Sequence, residues 1–317
     1  MALNHMGLAH LIDGRNDSTV VTTIIRYGST SGGAPGGALG SSQRHVMHGA
    51  AAPSQLLRRR VPERGVHQTF ITVGATVHLF FHDCFVDGCD ASVIVASTPN
   101  NTAEKDHPVN LSLAGDGFDT VIRAKAAVDA VPRCRNRVSC ADVLAMATRD
   151  AIALAGGPSY AVELGRLDGL TPRAAVVRPR PAHHAVRRQW SLQTDMIALS
   201  AGHTVGFAHC GTVVGAGHDD ERQPAAKLRE WIAVTMDVVT PRVFDNQYYK
   251  NLQVGMGLLA SDQLLYTDPR SRPTVDEWPK SSDAFSKAFV AAITKMGRIG
   301  VKTGAQGNIR RNCAVLN

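Results

Sequence analysis

The stretch FFHDCFVDGCDAS, residues 80–92, sets one histidine, three aspartates and two cysteines among apolar neighbours. The residues leading into it, VHQTFITVGATVHLFFHD (66–83), are mostly apolar and predict a helix with His82 at its polar exit. Asp83, Asp87, Asp90 and Ser92 then offer oxygen ligands at short intervals, which is what a hard cation takes. The loop is not an EF-hand: counted from Asp83, its third and twelfth positions are Phe85 and Ile94, where that motif needs oxygen. A solvated acidic turn explains the same residues without a metal. Cys84 and Cys89 have no matching second cysteine pair for a structural zinc site, and a local disulfide bracing the loop is the simpler reading. His78 and His82 share a helix face, but Leu79 follows His78 where a zinc hydrolase of the HExxH type needs its general-base glutamate.

Beyond this stretch the pattern stays helical. FDTVIRAKAAVDAV (118–131) is amphipathic, with Phe118, Val121, Ile122 and Val128 near one face. In SCADVLAMATRDAIALAGG (139–157), Ser139 is the expected N-cap, Asp142 lies in the first turn, and Gly156 and Gly157 end the helix. TDMIALSAGHT (194–204) repeats the grammar with Thr194 as the expected cap. SSDAFSKAFVAAITKMGRIG (281–300) puts Phe285, Phe289, Val290, Ile293 and Met296 on one face before Gly297. Alternating strand patterns are scarce, so the fold class is mainly α.

Composition bounds the function. A chain of 317 residues with 44% hydrophobic content can bury a sizeable core, and it contains no apolar run of about eighteen residues that would span a bilayer. Much of the net charge of +7 comes from LLRRR (56–60) and RPRPAHHAVRR (178–188), with no helix-turn-helix, zinc-finger or aromatic-basic motif beside them, which argues against a nucleic-acid partner. His5, His10 and Asp13 interrupt the first residues before an apolar signal region can form, yet six cysteines favour an oxidising compartment. GSTSGGAPGGALGSS (28–42) reads as part of a flexible leader over residues 1–66, and residues 172–190 and 211–231 read as irregular inserts in a domain of residues 67–317.

A resemblance joins these pieces. FFHDCFVDGCDASVIV, EKDHPVN, VSCADVLAMATRDAIALAGGP, GRLDG, DMIALSAGHTVGFAHC, TPRVFDNQYYKNL, GLLASDQLL and GNIRRNCAVLN resemble, in order, the signatures of the secretory plant haem peroxidases. The match covers most of residues 67–171, 191–210 and 233–317. It implies the haem peroxidase fold, with one haem b held between distal and proximal helical halves, two calcium ions, and hydrogen peroxide oxidising small phenolic donors in one-electron steps. By resemblance the protein is a secreted or vacuolar monomer.

Carried over residue by residue, the resemblance makes His203 the axial ligand of the haem iron and Asp262 the acceptor of that ligand's other N–H, an arrangement that favours O–O cleavage. His82 becomes the acid/base residue that moves a proton from the inner to the outer peroxide oxygen, with Asn110, backed by Glu104, fixing its tautomer. Asn110 also opens the sequon NLS, whose bland reading is a glycosylation site. The distal calcium site takes side chains of Asp83, Asp90 and Ser92 and carbonyls of Val86 and Gly88. The proximal site takes Thr204, Asp237, Thr240, Val243 through its carbonyl, and Asp245. Cys84 pairs with Cys89 and Cys140 with Cys313.

The chain departs from this pattern in three ways. His78 stands where the family carries the arginine that stabilises the transition state, predicting slow peroxide activation that improves as pH falls; the alternative is a haem- and calcium-binding protein with little turnover. Cys134 and Cys210 lack their family partners. The insert at 172–190 replaces the substrate edge, so no donor-binding residue is assigned. Together these departures suggest a rearranged or mis-spliced relative.

Overall fold

A computed structural model describes residues 45–47, 63–86, 88–108, 110–132, 134–171, 193–209 and 233–317. Among them run β1 (His45–Met47), α1 (Glu63–Val86), α2 (Gly115–Ala130), α3 (Cys140–Leu154), β2 (Val162–Leu164), β3 (Asp168–Gly169), α4 (Gln193–Ser200), β4 (Phe207–His209), β5 (Ala233–Thr235), α5 (Gln247–Gln253), α6 (Ala260–Thr267), α7 (Arg272–Glu277), α8 (Ser282–Met296) and β6 (Gly307–Asn308). The strands form three antiparallel two-stranded pairs, β1 with β2, β3 with β6 and β4 with β5. The architecture is mainly helical, as the periodicity predicts. Among the described residues no helix is long and apolar enough to cross a membrane.

One half is built on α1, α2 and α3. The helix α3 is buried on nearly every side, consistent with its run of alanines and aliphatics, and it packs against α1 and α2, sharing one core with their Val73, Val77, Phe80, Val121, Ala124 and Val128. Its charges are paired: Asp142 accepts from Arg166 at 3.0 Å and from the Gly165 amide at 2.7 Å. Ser139 caps the helix by accepting from the Asp142 amide.

The other half is held by α4, α5 and α8 around an aromatic cluster of Phe244, Tyr248, Tyr249, Trp278, Phe285 and Phe289. Phe285, Phe289, Ile293 and Met296 are buried and Val290 is half-buried, so the predicted face of α8 points inward. Thr194 is not the cap of α4, because the helix already includes Gln193 and extends one residue further back than its first turn suggests. Of the leader, residues 45–47 form β1 and 63–66 open α1; the remainder of 1–66, the insert at 211–231 and all of 172–190 lie outside the described residues, except that the strand partner of β4 begins at Ala233.

The halves meet where α1 crosses the segment after α4. A side chain added at Gly74 would come within 2.8 Å of the Gly206 Cα, so only glycine lets the two backbones approach this closely. The C-terminal segment then reaches back to the first half. The disulfide Cys140–Cys313 ties it to the start of α3 across 173 residues, and the predicted Cys84–Cys89 bridge is also formed. Among the described residues Cys134 forms no disulfide, and Cys210 lies outside them.

Candidate active site

The distal side is carried by one face of α1. His78 and His82, one turn apart, stand nearly perpendicular, with ring centroids 4.4 Å apart. His82 Nδ1 lies 2.7 Å from Asn110 Oδ1, and the Asn110 amide donates to the Glu104 carbonyl at 2.8 Å. That second bond orients the asparagine so that its oxygen faces the imidazole. His82 Nδ1 is therefore the donor and Nε2 keeps its lone pair, buried and without a partner. Burial pushes the His82 pKa below its ordinary value, against the Asn110 hydrogen bond. Asn110 is only 1% exposed, which leaves no room for a glycan and overturns the sequon reading.

His78 is driven well below the usual imidazole range by burial first, then by His82 and His203, which places all three imidazoles in one electrostatic environment. The proximal imidazole follows from local chain geometry. The helix α4 tightens into a 3-10 turn, Ala201–Thr204, that presents His203, and Val77 and Phe81 of α1 stand 3.8 Å from where a side chain on Gly202 would begin. His203 Nδ1 lies 2.8 Å from Oδ1 of Asp262, a buried residue in the first turn of α6. Burial alone would lower the His203 pKa, but the Asp262 charge and hydrogen bond outweigh it and the net shift is upward. With Nδ1 turned to a carboxylate, Nε2 is the nitrogen left to bind a metal.

The donor set fits a haem between the two sides. One imidazole has its outer nitrogen free and its inner one held by an anion, and the other points a buried, unpartnered nitrogen from the opposite element.

The acidic loop after α1 brings its predicted side chains together. Asp83 Oδ2 accepts from the Ala91 amide at 3.0 Å, Asp90 Oδ1 from the Ser92 amide at 3.0 Å, and the Ser92 hydroxyl donates to Glu104 at 2.9 Å. Gly88 adopts φ +120°, and a side chain there would fall 2.5 Å from the Gly300 backbone. The Gly88 carbonyl accepts from the Asp90 amide at 2.8 Å, and Val86 closes α1 just before it. Asp83 Oδ1 is buried without a partner, and the carboxyl is held well above its ordinary pKa by burial and then by Asp90 and Glu104. A divalent cation would relieve both conditions, so the residues fit one. Among the described residues no cluster of three or more His, Cys, Asp or Glu side chains forms a metal site by itself, so such a cation would also need the hydroxyl and carbonyl oxygens.

The second predicted set also converges. Thr204 Oγ1 lies 3.4 Å from both Asp237 Oδ2 and the Val243 carbonyl oxygen, and Thr240 Oγ1 lies 3.5 Å from Asp237 Oδ2 and 3.2 Å from Asp245 Oδ1. These are long for hydroxyl hydrogen bonds. They match the edge of about 3.4 Å expected between oxygens at right angles around a cation at about 2.4 Å.

Two groups of residues were not singled out by sequence. Arg310, fully buried, donates to the Ala91 carbonyl at 2.7 Å and the Cys313 carbonyl at 2.7 Å, while its amide donates to Asp168 at 2.8 Å. It thus ties the C-terminal disulfide to the acidic loop, and its place in GNIRRNC, three residues before a cysteine, is the only sequence signal for it. Tyr248, in the motif FDNQYYKNL, donates its hydroxyl to Asp262 Oδ1 at 3.0 Å.

A mainly helical shell carries one imidazole backed by a carboxylate and another oriented by an amide, and the class these features point to is the haem peroxidases. The comparisons agree. The family described as Peroxidase matches residues 59–281. The chain is 53% identical to Peroxidase 73 of Arabidopsis thaliana over 300 residues, covering 86% of this chain and 91% of that protein. It is 51% identical to Peroxidase 50 of the same plant over 302 residues (87% and 92%) and 52% identical to Peroxidase 51 over 290 residues (83% and 88%). The chain belongs to the plant haem peroxidase family, and its reaction is the oxidation of a donor at the expense of hydrogen peroxide.

Proposed function

We propose that the protein binds one haem b through His203 and two calcium ions, and reduces hydrogen peroxide while oxidising small phenolic donors one electron at a time. The observation that carries this reading is the pair of oriented imidazoles, His82 on Asn110 and His203 on Asp262. A haem held by His203 would supply the redox-active iron that passes electrons from donors to peroxide.

The protein's own residues do the rest. Asp262 accepts from His203 Nδ1, makes the imidazole more basic and holds its outer nitrogen in one orientation. His82, held as the Nδ1–H tautomer by Asn110, accepts a proton at Nε2 and returns it to the departing oxygen. His78 occupies the position of the family's charged donor, but as a buried neutral imidazole it stabilises developing negative charge poorly, so peroxide activation is slow.

Asp83, Asp90 and Ser92, with the Val86 and Gly88 carbonyls, hold the distal calcium. Through Ser92, Glu104 and Asn110 that site is connected to His82. Thr204, Asp237, Thr240, Val243 and Asp245 hold the proximal calcium beside the iron ligand. The disulfides suit a secreted protein.

The deciding experiment records the absorbance spectrum of the haem-reconstituted protein before and after peroxide, with a phenol present. A Soret band with phenol oxidation supports the peroxidase. A Soret band without turnover supports the second reading, a scaffold that binds haem and calcium but is catalytically impaired, which the exchange of arginine for His78 favours.

A further inference from the structure

Asp262 receives two hydrogen bonds on one atom. Its Oδ1 lies 2.8 Å from His203 Nδ1 and 3.0 Å from the Tyr248 hydroxyl. Tyr248 is buried on α5, where its ring stands edge-on to Tyr249 at 5.0 Å and nearly perpendicular to His203 at 6.3 Å. The position therefore leaves the hydroxyl little freedom to turn elsewhere. A carboxylate oxygen can only accept, so the phenol hydroxyl is the donor of this bond.

We propose that Tyr248 is a positioning residue of the proximal side, competing with His203 for the same carboxylate oxygen and thereby limiting how much negative charge Asp262 lends to the iron ligand. A carboxylate that shares its charge with a second donor is a weaker acceptor for the first. The His203 N–H bond is less polarised as a result, the outer nitrogen is less basic, and the iron it binds is less stabilised in its oxidised form. Asp262 and Tyr248 thus act as opposing controls on one imidazole, the first strengthening it and the second restraining it. This inference rests on His203 being the axial ligand.

The test compares haem-loaded wild type with Tyr248→Phe, which keeps the ring and removes only the hydroxyl. Resonance Raman of the reduced proteins reads the iron–imidazole stretch, and spectroelectrochemistry reads the ferric/ferrous midpoint potential. The proposal expects the variant to show a higher stretching frequency and a lower midpoint potential. A merely structural tyrosine would lower thermal stability and leave both readouts in place, and that result overturns the proposal, as does a shift in the opposite direction. If the Phe variant does not fold, Tyr248→Leu must give the same two shifts. A wild-type protein with no iron–imidazole stretch would remove the ligand assignment and the proposal with it, whereas a normal wild-type band that the substitution leaves unmoved defeats the proposal alone.

Discussion

The imidazole of His78 stands across that of His82 at 4.4 Å, an uncharged ring where the family carries a guanidinium. Replacing it tests what that exchange costs. His78→Arg is expected to raise the rate of the Soret change on mixing with peroxide by about 100- to 1,000-fold, the usual worth of one preorganised charged donor. Stopped-flow absorbance measures it, and equal rates in the two proteins would defeat the idea of impaired activation.

The same residue carries a pH prediction. Protonated His78 stabilises negative charge far better than the neutral ring, and burial, His82 and His203 all lower its pKa well below 6.5. The gain in peroxide activation at low pH therefore begins well below 6.5, and the rate attributable to His78 stays flat between about pH 8 and 6.5. A His78→Gln variant should lose the acid gain. A rise centred at the ordinary imidazole pKa would show that the ring is solvated.

Asn110 is buried and holds His82 in one tautomer. Asn110→Ala is expected to slow the peroxide reaction by at least about 10-fold while leaving the Soret position unchanged, because an orienting partner acts through the base it orients. Peptide mapping of protein from a secreting host should find Asn110 without a glycan. A glycan there would contradict the fold around α1.

Calcium removal probes both oxygen-rich sites. Metal analysis should find two calcium ions per chain, falling to one in Asp237→Ala. Chelation should lower the thermal midpoint, since a ligand present at a hundred times its Kd stabilises by about 2.7 kcal/mol per site. A midpoint insensitive to both chelator and added calcium would refute the assignment.

Arg310 bridges the C-terminal tail and the acidic loop without solvent contact. Arg310→Met leaves Asp168, buried and held above its ordinary pKa by burial despite Arg310, without its partner cation. Removing one member of a buried pair costs about 3–5 kcal/mol. Urea denaturation of the two proteins measures it, and a loss below about 1 kcal/mol would mean that the clamp contributes little.

Much of this site was legible before any coordinates. The family resemblance pairs His82 with Asn110 and His203 with Asp262, and the structure brings both pairs within hydrogen-bond distance although the partners lie 28 and 59 residues apart. Thr194 was misread because a cap depends on where the preceding chain turns, which one threonine does not reveal. The Asn110 sequon was ambiguous for a similar reason: acceptor chemistry is local, but burial is not.

By itself, the sequence determined a mainly helical chain with an oxygen-rich loop after a histidine-bearing helix, whereas the two cysteine bridges and the exchange at position 78 followed from the family resemblance. Periodicity and spacing are properties of neighbouring residues, so they survive without a fold. Only the tertiary structure decided that Tyr248 and His203, 45 positions apart in chain numbering, donate to one oxygen of Asp262, and that Arg310 reaches the carbonyl of Ala91. Those contacts join elements remote in the chain, and their strength comes from the burial that packing creates.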